Sequence, residues 1–198
     1  MKPNKKIEDV FYYLRDEEGV IKKSRKIKPK NTNRGFKASL LNRILYNPKL
    51  DLKEDEIAYA LLHEEGHKET DQNSTIYFTI VSMLAFIFAL PFVLNGIFGV
   101  QIPMMNPDIT NMVIFVILIL TFTKAYSDRF HEEELKADVY ACKRLKKAKR
   151  FTRPPEEIMT DLLDRGKEFD GVFGFLFGGV FHPPDEERVK YVRDEIYE

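Results

Sequence analysis

The sequence is poor in cysteine and has no net charge. With Cys142 the single cysteine among 198 residues, an intrachain disulfide and a thiolate metal cage are both excluded, so any metal site must be built from histidine and carboxylate. Thirty-one Lys and Arg balance 31 Asp and Glu, and a formal charge of zero gives no overall field that would draw the chain to nucleic acid. Residues 1–30 are polar and lack the apolar stretch of a cleavable signal. No internal repeat or low-complexity tract is present. Charge is also missing locally: residues 72–107 carry none over 36 positions and residues 109–123 none over 15, with Asp108 the single break.

Those two stretches predict a transmembrane hairpin. Residues 76–100 exceed the roughly 20 apolar positions that cross a hydrocarbon core. A second span is expected over 106–126, with Asn106 as cap, Pro107 at the first helical position and Asp108 on the favourable end of the dipole. Lys68 precedes the first stretch and Lys124 and Arg129 follow the second, whereas residues 101–107 hold no Lys or Arg, so both flanks are expected on the cytoplasmic side. The expected protein is therefore mainly α, multi-pass in the cell membrane, with the bilayer as a partner and both termini cytoplasmic. Its parts are residues 1–74 with a metal-binding helix over about 52–70, a hairpin over 75–126, and a C-terminal cytoplasmic part over 127–198.

Within the N-terminal part, Ile7, Val10, Phe11 and Leu14 recur at i, i+3, i+4, i+7, an amphipathic helix that Gly19 can end. Residues 22–34 form a basic, loop-like run. Residues 35–47 alternate enough to suggest one extended segment, stopped by Pro48, and residues 43–47 are a candidate edge strand to which a peptide could add. Asp51 followed by Glu54 is a capping signature for the helix that comes next.

That helix carries His63-Glu64-Glu65-Gly66-His67. Four residues turn an α-helix through slightly more than one turn, so both imidazoles share a face and can reach one Zn²⁺, while Glu64 is offset toward a water on the metal. Glu65 stands where an apolar residue would pack better. A catalytic zinc needs a third protein ligand, and the candidates are His131, His182 and the carboxylates between Glu132 and Asp138. Glu134 is best placed. Asp138, four residues on, can accept a hydrogen bond from a ligand imidazole and fix its tautomer. Cys142, beside Ala141 and Leu145, reads as a small core residue. The aromatic and glycine-rich residues 173–181 are too short to span a bilayer but can pack or line an apolar groove.

Three elements together resemble the membrane-embedded gluzincin peptidases, which include the HtpX heat-shock proteases and the type 1 CAAX prenyl endopeptidases. These are the His63–His67 motif, then Glu134-Leu135-Lys136-Ala137-Asp138, then His182-Pro183-Pro184 with Arg188. The resemblance covers roughly residues 57–192 and implies a zincin-like peptidase domain. It implies one zinc per chain held by His63, His67 and Glu134, Glu64 as general base, Asp138 supporting a ligand, His182 on the oxyanion and Arg188 supporting the site. The implied activity is hydrolysis of peptide or protein substrates by a zinc metalloendopeptidase. The alternatives from other classes are a zinc-binding scaffold or sensor without turnover, and a metal-free adaptor.

Overall fold

A computed structural model describes residues 2–30, 35–39, 41–70, 81–82, 109–167 and 183–197. By its internal contacts the chain divides into two units, residues 1–70 with 130–198, and residues 71–129. Five helices and a three-stranded sheet follow one another as α1 (Lys5–Tyr12), β1 (Lys26–Pro29), β2 (Phe36–Ser39), β3 (Arg43–Tyr46), α2 (Glu54–Thr70), α3 (Ile109–Leu145), α4 (Pro155–Lys167) and α5 (Asp185–Tyr197) among the described residues.

The expected periodicity appears in α1, where Ile7, Val10 and Phe11 are buried and Leu14 follows in a single π-helical turn, Tyr13–Glu17. Asn4 caps α1 by accepting from the Ile7 N–H at 3.4 Å, and its amide donates to the carbonyls of Pro48 and Leu50, both at 3.2 Å. Gly19 lies at φ 64, the left-handed conformation that ends a helix without a Cβ penalty.

The sheet departs from the expected single extended segment. β1 pairs parallel to β3, and β2 pairs antiparallel to it, so the order is β1-β3-β2. The candidate edge strand at residues 43–47 is thus the central strand, with neighbours on both sides and no free edge for a peptide. The edges belong to β1 and β2. β1 likewise falls inside the basic run that was expected to be a loop. The start of α2 also shifts: Glu56, not Glu54, reaches back to accept from the backbone N–H of Lys53 at 2.8 Å, which moves the cap two residues along from Asp51.

The expected membrane fold is overturned. Among the described residues no helix is long and apolar enough to cross a membrane. The first expected span, 76–100, lies outside the described residues except for Val81 and Ser82. The second is not a separate element, because its segment opens α3, one 37-residue helix that continues past Tyr126. Its later turns carry Lys124, Asp128, Arg129, Glu132, Glu133 and Glu134, so the helix as a whole is not one apolar element. The two-span hairpin and the multi-pass localisation with its cytoplasmic termini are both corrected on this ground.

In the first unit, the last turns of α3 bury Glu134, Ala137, Asp138, Ala141, Cys142 and Leu145. Their i, i+3, i+4 spacing is one helical stripe, and it mixes core residues with the two acids of the candidate site. α2 buries Ile57, Ala58, Tyr59, Leu61 and Leu62 in the same core. α5 adds Val192 and the guanidinium of Arg188, and α4 adds Ile158 and Met159.

Candidate metal centre

Two helices approach closely here because one residue between the histidines has no side chain. A Cβ added to Gly66 would lie 2.9 Å from the Cα of Ala137, 3.1 Å from its carbonyl oxygen and 3.2 Å from the Cβ of Tyr140. Only glycine permits this approach, and it brings Glu134 of α3 to the histidines of α2.

His63 Nε2, His67 Nε2 and the Glu134 carboxylate form a triangle. The two nitrogens are 3.0 Å apart, His67 Nε2 is 3.3 Å from Glu134 Oε1, and His63 Nε2 is 3.5 Å from Glu134 Oε2. Tetrahedral zinc with bonds of about 2.0–2.1 Å holds its donors about 3.3 Å apart, so the donor set fits that ion in both chemistry and spacing. Among the described residues this cluster has these three members. His131, the reserve ligand, is one turn earlier on α3 and is not among them. Side-chain exposures of 14% for His63, 25% for His67 and 11% for Glu134 leave the three side chains mostly but not wholly covered.

Behind the triangle lies Asp138, fully buried. Its Oδ1 is 2.8 Å from His63 Nδ1 and accepts from the Tyr59 hydroxyl at 2.8 Å; Arg188 donates Nε to Oδ2 at 2.7 Å and Nη2 to Oδ1 at 2.8 Å. Arg188 also approaches Glu134 at 3.7 Å. With Nδ1 committed to Asp138, Nε2 is the nitrogen left to face His67 and Glu134, and it would offer its lone pair to a metal once the ring is neutral. In the metal-free chain these contacts set the ionisation. Burial alone would raise the Asp138 pKa, but the hydrogen bond and charge of His63 and the guanidinium of Arg188 bring it down to about 2. Burial opposes the charged form of His63, and Asp138 and Glu134 outweigh it, lifting the imidazole to about 10. Burial and the Asp138 charge push the Tyr59 hydroxyl well above its usual value.

Glu64 lies on the sheet side of α2, where its Oε2 accepts a hydrogen bond from the backbone N–H of Ala38 in edge strand β2. The expected base is therefore held at the outer edge of β2, beside which no further strand lies among the described residues. Glu65, unexplained by the motif, is paired with Arg25. His182 and residues 173–181 lie outside the described residues. Cys142 is fully buried, and burial raises its thiol pKa, which fits a core residue.

Sequence reasoning missed Tyr59 and Arg25. Tyr59 is four residues before His63, and its ring stacks on the imidazole at 6.3 Å with 18° between planes. The i, i+4 spacing was a usable signal; Arg25, 40 residues from its partner, gave no such local sign. Comparison with family models, with characterised proteins and with solved structures gives no match to this chain.

Proposed function

We propose that the chain is a zinc-dependent peptidase acting on extended, unstructured peptides. The observation that carries this reading is the triangle of His63, His67 and Glu134 at 3.0–3.5 Å with a carboxylate, Glu64, beside it on the same helix. When bound, zinc supplies Lewis acidity, polarising a carbonyl and bringing the pKa of water toward about 7. The remaining steps belong to the protein. Asp138 keeps the His63 Nδ1 proton in place, and Arg188 and Tyr59 hold Asp138 so that the ring cannot turn. Glu64 accepts the proton of the attacking water and passes it to the leaving amine as the C–N bond breaks.

The outer edge of β2, which no further strand covers among the described residues, supports a peptide as the substrate class. Ala38 turns its N–H toward Glu64 and away from β3, so a chain adding as a further strand lies against the general base. The motif order that resembles gluzincins supports the same chemistry and carries no membrane component into the proposal. A zinc-binding scaffold without turnover is the second reading, favoured by the contact that occupies one Glu64 oxygen with the Ala38 N–H.

Metal content and cleavage of an unstructured reporter protein, measured on wild type and Glu64→Gln, separate the two. The peptidase reading expects about one zinc per chain in both and a loss of about 10²–10⁴ in turnover for Glu64→Gln. Equal cleavage by both proteins refutes the assigned base. Zinc without cleavage in wild type favours the scaffold.

A further inference from the structure

Glu65 is two residues from each histidine, about 200° round the helix from either, and fully buried. Its carboxylate accepts from Arg25 Nε at 2.6 Å and Nη2 at 3.0 Å, and from the Lys22 backbone N–H at 3.3 Å. Arg25 is itself 3% exposed, and its Nη1 donates to the side-chain oxygen of Asn42. Asn42 stands at φ 56, donates its side-chain amide to the carbonyl and hydroxyl of Ser24 at 3.1 and 3.2 Å, and accepts from the Lys26 N–H at its backbone carbonyl at 3.2 Å. One carboxylate on α2 thereby gathers Arg25, the residue before β1, and Asn42, the residue before β3. One position earlier on α2, Glu64 holds the third strand at Ala38.

Stability alone is a weak reason to bury such a pair. Taking two charges out of water offsets most of their attraction, and apolar replacement of both partners is often neutral or better. What a forked, two-bond contact adds is a fixed distance and angle. We propose that Arg25, Glu65 and Asn42 are positioning residues that register the sheet on the metal-bearing helix, so that edge strand β2 presents its backbone at Glu64. The substrate part of this inference rests on the peptidase reading; the registration part does not.

The test is the charge-neutral double variant Arg25→Met/Glu65→Leu, which leaves no buried charge unpaired, with Asn42→Gly as a second variant that keeps the left-handed backbone and removes the amide. Each is compared with zinc-loaded wild type in three measurements: zinc affinity, amide exchange at Ala38 against the amides of β3, and kcat and KM on an extended reporter peptide. Registration expects zinc affinity within about threefold, Ala38 exchange faster by about tenfold with β3 unchanged, and KM raised about tenfold while kcat stays within about threefold. Asn42→Gly shifts the same quantities in the same direction by less. Ala38 exchange and KM both at wild-type values in the double variant overturn the proposal, as does uniform acceleration across β3, the mark of a merely structural role. Zinc-loaded wild type without turnover overturns the peptidase reading alone, and Ala38 exchange still decides registration.

Discussion

Replacing Gly66 by alanine tests whether helix proximity builds the metal centre. Alanine is the better helix former by about 1 kcal/mol, so on propensity alone the variant is stabilised. The new methyl, however, meets Ala137 Cα at 2.9 Å, and that atom is backbone, which cannot swing aside. Restoring ordinary contact requires α2 and α3 to separate by about 0.5 Å or more, and overpacking of this kind costs about 1–3 kcal/mol. The two effects leave a net destabilisation of about 0–2 kcal/mol, which a urea titration resolves. The metal effect is sharper. Glu134 rides on α3 and the histidines on α2, so the displacement enters the 3.3 and 3.5 Å donor separations directly, whereas metal–ligand distances tolerate about 0.2 Å. Zinc affinity, read by competition with a chromogenic chelator, should fall about 10–100-fold. Gly35→Ala is the control, because its Cβ would meet only the flexible end of Leu50 at 3.4 Å. Should Gly66→Ala bind zinc within twofold of wild type, the argument from close approach is wrong.

Other consequences follow from the buried groups. Asp138, held at about 2 in the metal-free chain, contributes stability that is complete above its unfolded value near 4 and is lost as pH falls through 2; thermal melts between pH 5 and 2 should show this acid slope, and Asp138→Asn should flatten it. The same substitution leaves His63 Nδ1 facing an amide, and zinc affinity should weaken by about 10–100-fold with the three donors intact. The Cys142 thiol, raised by burial, stays protonated and inaccessible, so a thiol reagent at pH 8 should label it only under denaturant. Rapid labelling of the native chain would refute its place in the core.

Much of the chemistry was legible because it is local. His63, Glu64 and His67 share one helix, and Glu134 and Asp138 share another at the same i, i+4 spacing, so helical geometry alone puts each pair on a face. What brings the two helices together is also written in the sequence, as Gly66, but its meaning depends on what lies opposite. The sheet was less legible for a related reason. Alternation identifies a strand without naming its neighbours, and the stretch around Ile44 and Tyr46 looked suited to receive a peptide when it is the strand covered on both sides. The membrane expectation rested on two apolar runs judged by composition alone; the second opens α3, which continues into charged turns that carry Glu134.

Glu65 shows how far such reading can go. An acid at a position suited to an apolar side chain, on a helix that must be buried to bring its histidines to a partner, implies a buried cation somewhere in the chain. The basic run at residues 22–34 offered several candidates, and a loop reading hid them because solvated lysines and arginines need no partner. Once β1 lies within that run, the residue leading into it is fixed near the sheet's end, and Arg25 is the one whose forked head reaches a carboxylate with two parallel bonds. The anomalous acid in the motif and the basic stretch 40 residues earlier are therefore one feature. Their pairing ties the sheet to α2 at the residue after Glu64, which is why a single replacement such as Glu65→Leu, leaving Arg25 buried without its carboxylate, should cost about 3–5 kcal/mol in a denaturant titration while Arg25→Met/Glu65→Leu recovers most of it.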